Sequence, residues 1–183
     1  MYRHISKGYN ELHRDEQIKK LEVIKKNLKI IPPLLDVGCG IGISTNFFRV
    51  KSVGIDNCRE MLRQGDKNLM YGNAESLPFR DRSFNTVISV TAFHNFKNME
   101  KALREILRVS KNKNICITFL KRSKRLPQFR KLIEKYPIGN LINFSRIKEQ
   151  GFMNHMFVVE TDKGKFILRI AKNTKKKQGS NFS

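Results

Sequence analysis

The sequence predicts an α/β fold: a doubly wound, mostly parallel sheet of seven strands that ends in an antiparallel hairpin. Three observations carry this reading. Short apolar runs of strand length recur at LLDV (34–37), SVGI (52–55), LMYG (69–72), TVISV (86–90) and NICITFL (114–120). Several are apolar throughout, as strands covered on both faces are, and the spacers between them carry helical periodicity, which gives parallel pairing. Near the end, MFVVET and KFILRIA flank Asp162-Lys163-Gly164, a turn in which the glycine can take a positive φ.

Each element has its own signal. Residues 15–29 place Ile18, Leu21, Ile24 and Leu28 on one stripe with charges elsewhere, which predicts an amphipathic helix ended by Pro32 and Pro33. The spacer 98–111 sets Ala102, Leu103, Ile106, Leu107 and Val109 at helical spacing. No internal repeat is present. A length of 183 residues suits a single domain over 1–172. Within it, 1–32 is an N-terminal helix and lid, 33–120 the ligand-binding core, and 121–172 a basic segment with the closing hairpin. Residues 173–183 are polar and Lys-rich and read as a disordered tail.

Composition narrows the function. No apolar run approaches the roughly 20 residues that span a bilayer, and the first residues lack the apolar centre of a secretory leader. Cys39, Cys58 and Cys116 are odd in number and never spaced CxxC, which argues against a disulfide framework and a zinc site. A reducing, cytoplasmic setting without a metal is the expectation. Lys+Arg 37 against Asp+Glu 16 gives a net charge of +21, and residues 121–183 alone hold 16 basic and 4 acidic side chains. A codon bias toward Lys, Asn and Ile explains neither the 14 arginines nor the shortage of acids at that end. A polyanionic partner does.

The stretch PLLDVGCGIGISTNFF (33–48) runs a buried strand into glycines and then a helix, the corner at which nucleotides bind. A triphosphate loop needs GxxxxGK[ST], which is absent. A dinucleotide fingerprint needs a third glycine where Ile43 stands. The glycines here are Gly38, Gly40 and Gly42, and Asp36 lies inside the strand before them. A carboxylate repels a pyrophosphate and attracts an ammonium or sulfonium. S-adenosylmethionine carries both cations and no phosphate.

LLDVGCGIG resembles the first motif of the class I S-adenosylmethionine-dependent methyltransferases. SVGID, ending in Asp56, and YGNAESLPFRDRSFNTVIS continue the resemblance at that family's spacings. It implies a Rossmann-like sheet, S-adenosylmethionine as cofactor, and cofactor contacts at Asp36, Gly38, Cys39, Gly40, Gly42, Asp56, Asn57, Asn73, Ala74, Glu75 and Val90. It also implies that Asp56 receives the two ribose hydroxyls, for which one carboxylate has the two oxygens needed. The family commonly has Asp where this chain has Asn73. An amide carbonyl can still accept from the adenine amino group, without charge assistance. Cys39 at a helix start could be a reactive thiol, but the resemblance makes it a small lining residue.

Methyl transfer needs alignment, exclusion of water and, for some acceptors, a base. The acceptor side should be SVTAFHNF (89–96), after the fourth strand. Neither a [DN]PP[YFW] run nor a catalytic Cys is there, which lowers exocyclic base amines and cytosine C5 as targets. His94 is the candidate base, its ordinary pKa lying near neutrality; packing beside the cofactor is the plainer role. His4 and Tyr9 fall in the lid. Beyond the fifth strand, Lys121, Arg122, Lys124, Arg125, Arg130 and Lys131 would ring the substrate entrance and meet phosphates. Phe129, Leu132, Ile133 and Tyr136 at helical spacing read as a core stripe. RNA, tRNA or rRNA in particular, or a ribonucleoprotein component leads as acceptor, with a partner protein for recognition. A quinone- or lipid-type small molecule and a protein are alternatives; a basic RNA-binding module without turnover stands outside the enzyme class.

Overall fold

The computed structural model describes residues 7–111, 113–119, 123–135, 141–147, 154–161 and 164–171, with side chains for 14, 15, 17–111, 113–119, 123–129 and 131–133. Helix α1 is Lys7–Asn27, and the core then alternates: β1 (Leu34–Val37), α2 (Ile43–Phe47), β2 (Ser52–Asp56), α3 (Arg59–Leu62), β3 (Leu69–Tyr71) and β4 (Thr86–Ser89). A short 3-10 turn (Phe93–Asn95), α4 (Met99–Val109), β5 (Ile115–Thr118) and α5 (Leu126–Lys135) follow. The chain closes with β6 (Leu141–Ile147), β7 (Asn154–Thr161) and β8 (Gly164–Ala171).

The strands form one sheet in the order β3-β2-β1-β4-β5-β8-β7-β6. The first five are parallel to one another. β8 lies parallel to β5, and β7 pairs antiparallel with β8 and β6. Among the described residues the sheet therefore has eight strands, one more than the sequence predicts. The addition is β6, inside the stretch read as a basic segment. Its Ile142, Phe144 and Ile147 favour a pleated strand, but Asn143, Ser145 and Arg146 interrupt the apolar run that signals one. Helix α1 likewise starts well before residue 15 and stops at Asn27, whose side-chain amide donates to the Val23 carbonyl at 2.8 Å.

Alternation along each central strand divides the core. Leu35, Val37, Val87, Ile115 and Ile117 pack with Met99, Ala102, Leu103, Ile106 and Val109 of α4 and with Phe129 and Leu132 of α5. On the other face Leu34, Ile88, Val90 and Cys116 pack with Leu21, Val23 and Ile24 of α1 and with Leu28 just beyond its end. Each fully buried Leu or Ile in these layers contributes about 2 kcal/mol. The strand order reverses between β1 and β4, so the crevice for a ligand opens over their C-terminal ends.

Helix α4 also anchors the loop from β3 to β4. Glu75 Oε1 accepts from the Asn98 N–H (2.8 Å) at the helix start, and Glu105 Oε2 accepts from the Leu77 N–H (2.7 Å). Arg108 donates to the Leu77 and Phe79 carbonyls at 3.0 and 2.8 Å and pairs with Asp81 at 2.7 Å.

Candidate active site

The first turn is shaped by three glycines in left-handed conformation, Gly38 (φ 79°), Gly40 (φ 58°) and Gly42 (φ 86°). Side chains are disfavoured there. At Gly38 space is also lacking: a Cβ would lie 2.4 Å from Ala92 Cβ and 3.3 Å from the Phe96 ring. The first turn and the segment after β4 are thus in direct contact.

Asp36 sits in β1 with no solvent exposure. Its Oδ2 accepts from Ser44 Oγ at 2.6 Å and Thr45 Oγ1 at 2.8 Å, while Oδ1 is buried and has no partner among the described residues. Burial raises its pKa to about 6, against the lowering effect of the two hydroxyls and with a smaller push from Asp56. Sequence reasoning missed Ser44 and Thr45. The signal was present, because small hydroxyl residues in the first turn of a helix after a glycine loop face back onto the preceding strand.

Asp56 ends β2 beside the first turn. Its Oδ2 accepts from the Gly40 N–H (2.8 Å) and its Oδ1 from the Cys58 N–H (2.9 Å), so the carboxylate joins both loops of the crevice. Each oxygen keeps lone pairs for further donors. Asn57 is exposed next to it. Asn73 is exposed and its Oδ1 accepts from the Glu75 N–H at 2.9 Å, a local turn. Ala74 is buried in the core. Glu75, expected to contact a ligand, supports the N-terminus of α4 through the bond to Asn98.

Cys39 is buried, and its thiol lies 3.8 Å from the Gly40 carbonyl oxygen. Burial, then the charges of Asp36 and Asp56, push its pKa far above the ordinary thiol range, so it packs rather than reacts. Cys116 is also buried and Cys58 is half-buried. Iodoacetamide on the native protein is therefore expected to alkylate Cys58 first and the other two only on unfolding. Peptide mapping that finds Cys39 modified early would refute the packing role.

After β4, Val90 is buried against the α1 layer and Thr91 takes a positive φ of 60°. Thr118 at the end of β5 holds that strained residue, its Oγ1 accepting the Thr91 N–H at 2.6 Å. His94 follows, half-buried, its ring 5.6 Å from that of Phe119 and its Nδ1 buried without a partner among the described residues. Burial and then the Arg125 charge lower its pKa, which leaves the imidazole neutral and able to accept a proton.

Of the six basic residues expected around the substrate entrance, Lys124, Arg125 and Lys131 have described side chains. Lys124 and Lys131 are exposed. Arg125 turns inward: its guanidinium donates to the carbonyls of His94 (3.0 Å), Phe96 and Lys97 (3.2 Å). Arg130 lies on α5 without a described side chain, Tyr9 likewise on α1, and His4, Lys121, Arg122, Tyr136 and the tail 173–183 lie outside the described residues. Phe129 and Leu132 are buried, as a core stripe requires.

Residues 35–118 match the family model described as a methyltransferase domain. Those residues form a class I S-adenosylmethionine-dependent methyltransferase domain. The protein MJ1252 of Methanocaldococcus jannaschii is 34% identical over 122 residues, covering 63% of this chain and 48% of the relative. A demethylmenaquinone methyltransferase of Thermotoga maritima is 30% identical over 130 residues, covering 62% of this chain and 56% of the relative. The chain spans about half the length of these curated relatives. A solved complex of the Haloferax volcanii Trm112 methyltransferase activator with a methyltransferase shares the fold, with a TM-score of 0.63 at 17% identity over 80% of this chain and 79% of that one. The cofactor of this family is S-adenosylmethionine. The crevice fits it: an unpaired buried carboxylate oxygen suits its ammonium, and the glycine turn beside Asp56 leaves room and acceptors for its ribose. Among the described residues no cluster of His, Cys, Asp or Glu could hold a metal, and no helix is long and apolar enough to cross a membrane.

Proposed function

We propose that the chain transfers a methyl group from S-adenosylmethionine to RNA. Bound in the crevice, the cofactor supplies a methyl carbon activated by sulfonium. Asp36 Oδ1 takes the ammonium, Gly38, Cys39, Gly40 and Gly42 line the methionine end, Asp56 with Asn57 receives the ribose, and Asn73 with Ala74 borders the adenine. Val90 and the turn after β4 wall off water. His94, half-buried and neutral, accepts the proton of the acceptor atom.

The observation that carries RNA as acceptor is the charge: 16 basic against 4 acidic residues from 121 onward, with Lys124 and Lys131 exposed around α5, whose N-terminus is bonded to the His94 turn. A small-molecule acceptor of the quinone type is the second reading, favoured by the Thermotoga maritima relative. An activator protein of the Trm112 kind is a partner worth testing for the same site.

Tritiated cofactor added with the protein to a cell lysate separates these readings. Label is expected in RNA, and RNA binding is expected to weaken about tenfold or more as salt rises from about 50 to 200 mM. Label confined to a nuclease-treated small-molecule extract would overturn the RNA assignment in favour of the second reading.

A further inference from the structure

We infer that Arg125 is a positioning residue: it welds helix α5 to the turn after β4, so that the substrate-side helix and the wall of the cofactor crevice form one rigid unit. The inference rests on the reading that this turn faces the acceptor.

Three carbonyls of one turn, those of His94, Phe96 and Lys97, receive a single guanidinium. A planar fork of five donors can do this, whereas an ammonium is a point charge. The fork is held in place from its own side as well. Ser123 Oγ accepts the Arg125 N–H at 3.3 Å, and the Phe129 N–H bonds to the Arg125 carbonyl at 3.0 Å within the first turn of α5.

An aromatic cluster lies beneath the clasp. Phe129 of α5 stacks on Phe119 with ring centroids 4.6 Å apart and meets Phe93 at 5.1 Å; Phe93 in turn meets Phe96 at 5.3 Å. Phe93 and Phe129 are buried. The far side of Phe96 borders Gly38, whose missing Cβ would be 3.3 Å from its ring. Contact therefore runs without a gap from α5, through Arg125 and the phenylalanines, to the glycine of the first turn. Lys124 stands immediately before Arg125, and Lys131 lies on α5 five residues beyond Leu126, so both exposed cations are carried on this unit.

Two variants test this, each measured for S-adenosylmethionine affinity by calorimetry, for steady-state methylation of total RNA, and for the His94 imidazole titration by NMR. In Arg125→Gln, kcat is expected to fall about ten- to a hundredfold with KM for RNA and cofactor affinity changed less than about threefold, and the His94 midpoint to rise. In Arg125→Lys, which keeps the charge and loses the fork, the midpoint is expected to stay near that of the parent while kcat remains low. A raised KM for RNA with kcat preserved would make Arg125 a phosphate contact and overturn the inference; so would full turnover in Arg125→Lys. If RNA proves not to be the acceptor, the His94 titration still decides, since an unmoved midpoint in Arg125→Gln sinks the clasp whatever the substrate. If Arg125→Gln does not fold, Arg125→Lys carries the comparison.

Discussion

Replacing Asp36 by Asn is expected to weaken S-adenosylmethionine binding about thirty- to a hundredfold at neutral pH. Removing a charged partner from a buried hydrogen bond costs about 2–3 kcal/mol, and 1.4 kcal/mol is a factor of ten. The parent should also show a pH signature that the variant lacks. Burial raises the Asp36 pKa from 3.8 to about 6 in the cofactor-free fold. Folding thus favours the protonated acid: its contribution to stability is full below about pH 3.8 and is lost as pH rises through about 6, by some 3 kcal/mol in all. An ammonium ligand needs the carboxylate instead, so binding below pH 6 must expel a proton. Parent affinity is expected to drop about tenfold per pH unit below that point. Calorimetry between pH 5 and 8 checks it, and equal slopes for parent and Asp36→Asn would remove Asp36 from the cofactor site.

Gly38→Ala should be the most damaging of the glycine replacements in the first turn. The new Cβ would meet Ala92 Cβ at 2.4 Å, with the backbone held at φ 79°. Overpacking and left-handed strain together come to about 3 kcal/mol, or a melting temperature lower by about 10 °C for a chain of this size. Gly40→Ala is the control: its nearest neighbour is Met61 Cε at 3.1 Å, the far end of a flexible side chain. Its loss should be about 1–2 kcal/mol, from strain alone. Equal melting of the two variants would show that the contact between the first turn and the segment after β4 is not rigid.

The parts of the fold legible in the sequence are those whose signal is local. LLDV, TVISV and the run at 114–120 announce buried strands by being apolar throughout, and Met99–Val109 announces α4 by its stripe. The glycine spacing and the acids Asp36 and Asp56 locate the crevice for the same reason. What stayed hidden depends on partners far along the chain. Glu75 meets Asn98 across 23 positions, and Arg125 meets His94 across 31; neither residue type nor neighbours foretell a carboxylate capping a helix or a guanidinium collecting carbonyls. Arg125 reads in the sequence as one more phosphate contact because charge is visible there and the direction of a side chain is not. Strand β6 was hidden by the polar residues set among its apolar ones.

The loop leading from β3 is tied to α4 at both its start and its middle by Glu75, Glu105 and Arg108. That half of the crevice consequently stands ready-made before any nucleoside arrives, and little conformational entropy remains to be lost there on association. With the adenine placed there as proposed, discrimination between it and its analogues falls to fixed backbone and amide groups rather than to an adaptable fit. A non-adenine nucleoside should be refused outright, not accommodated by a rearranged loop.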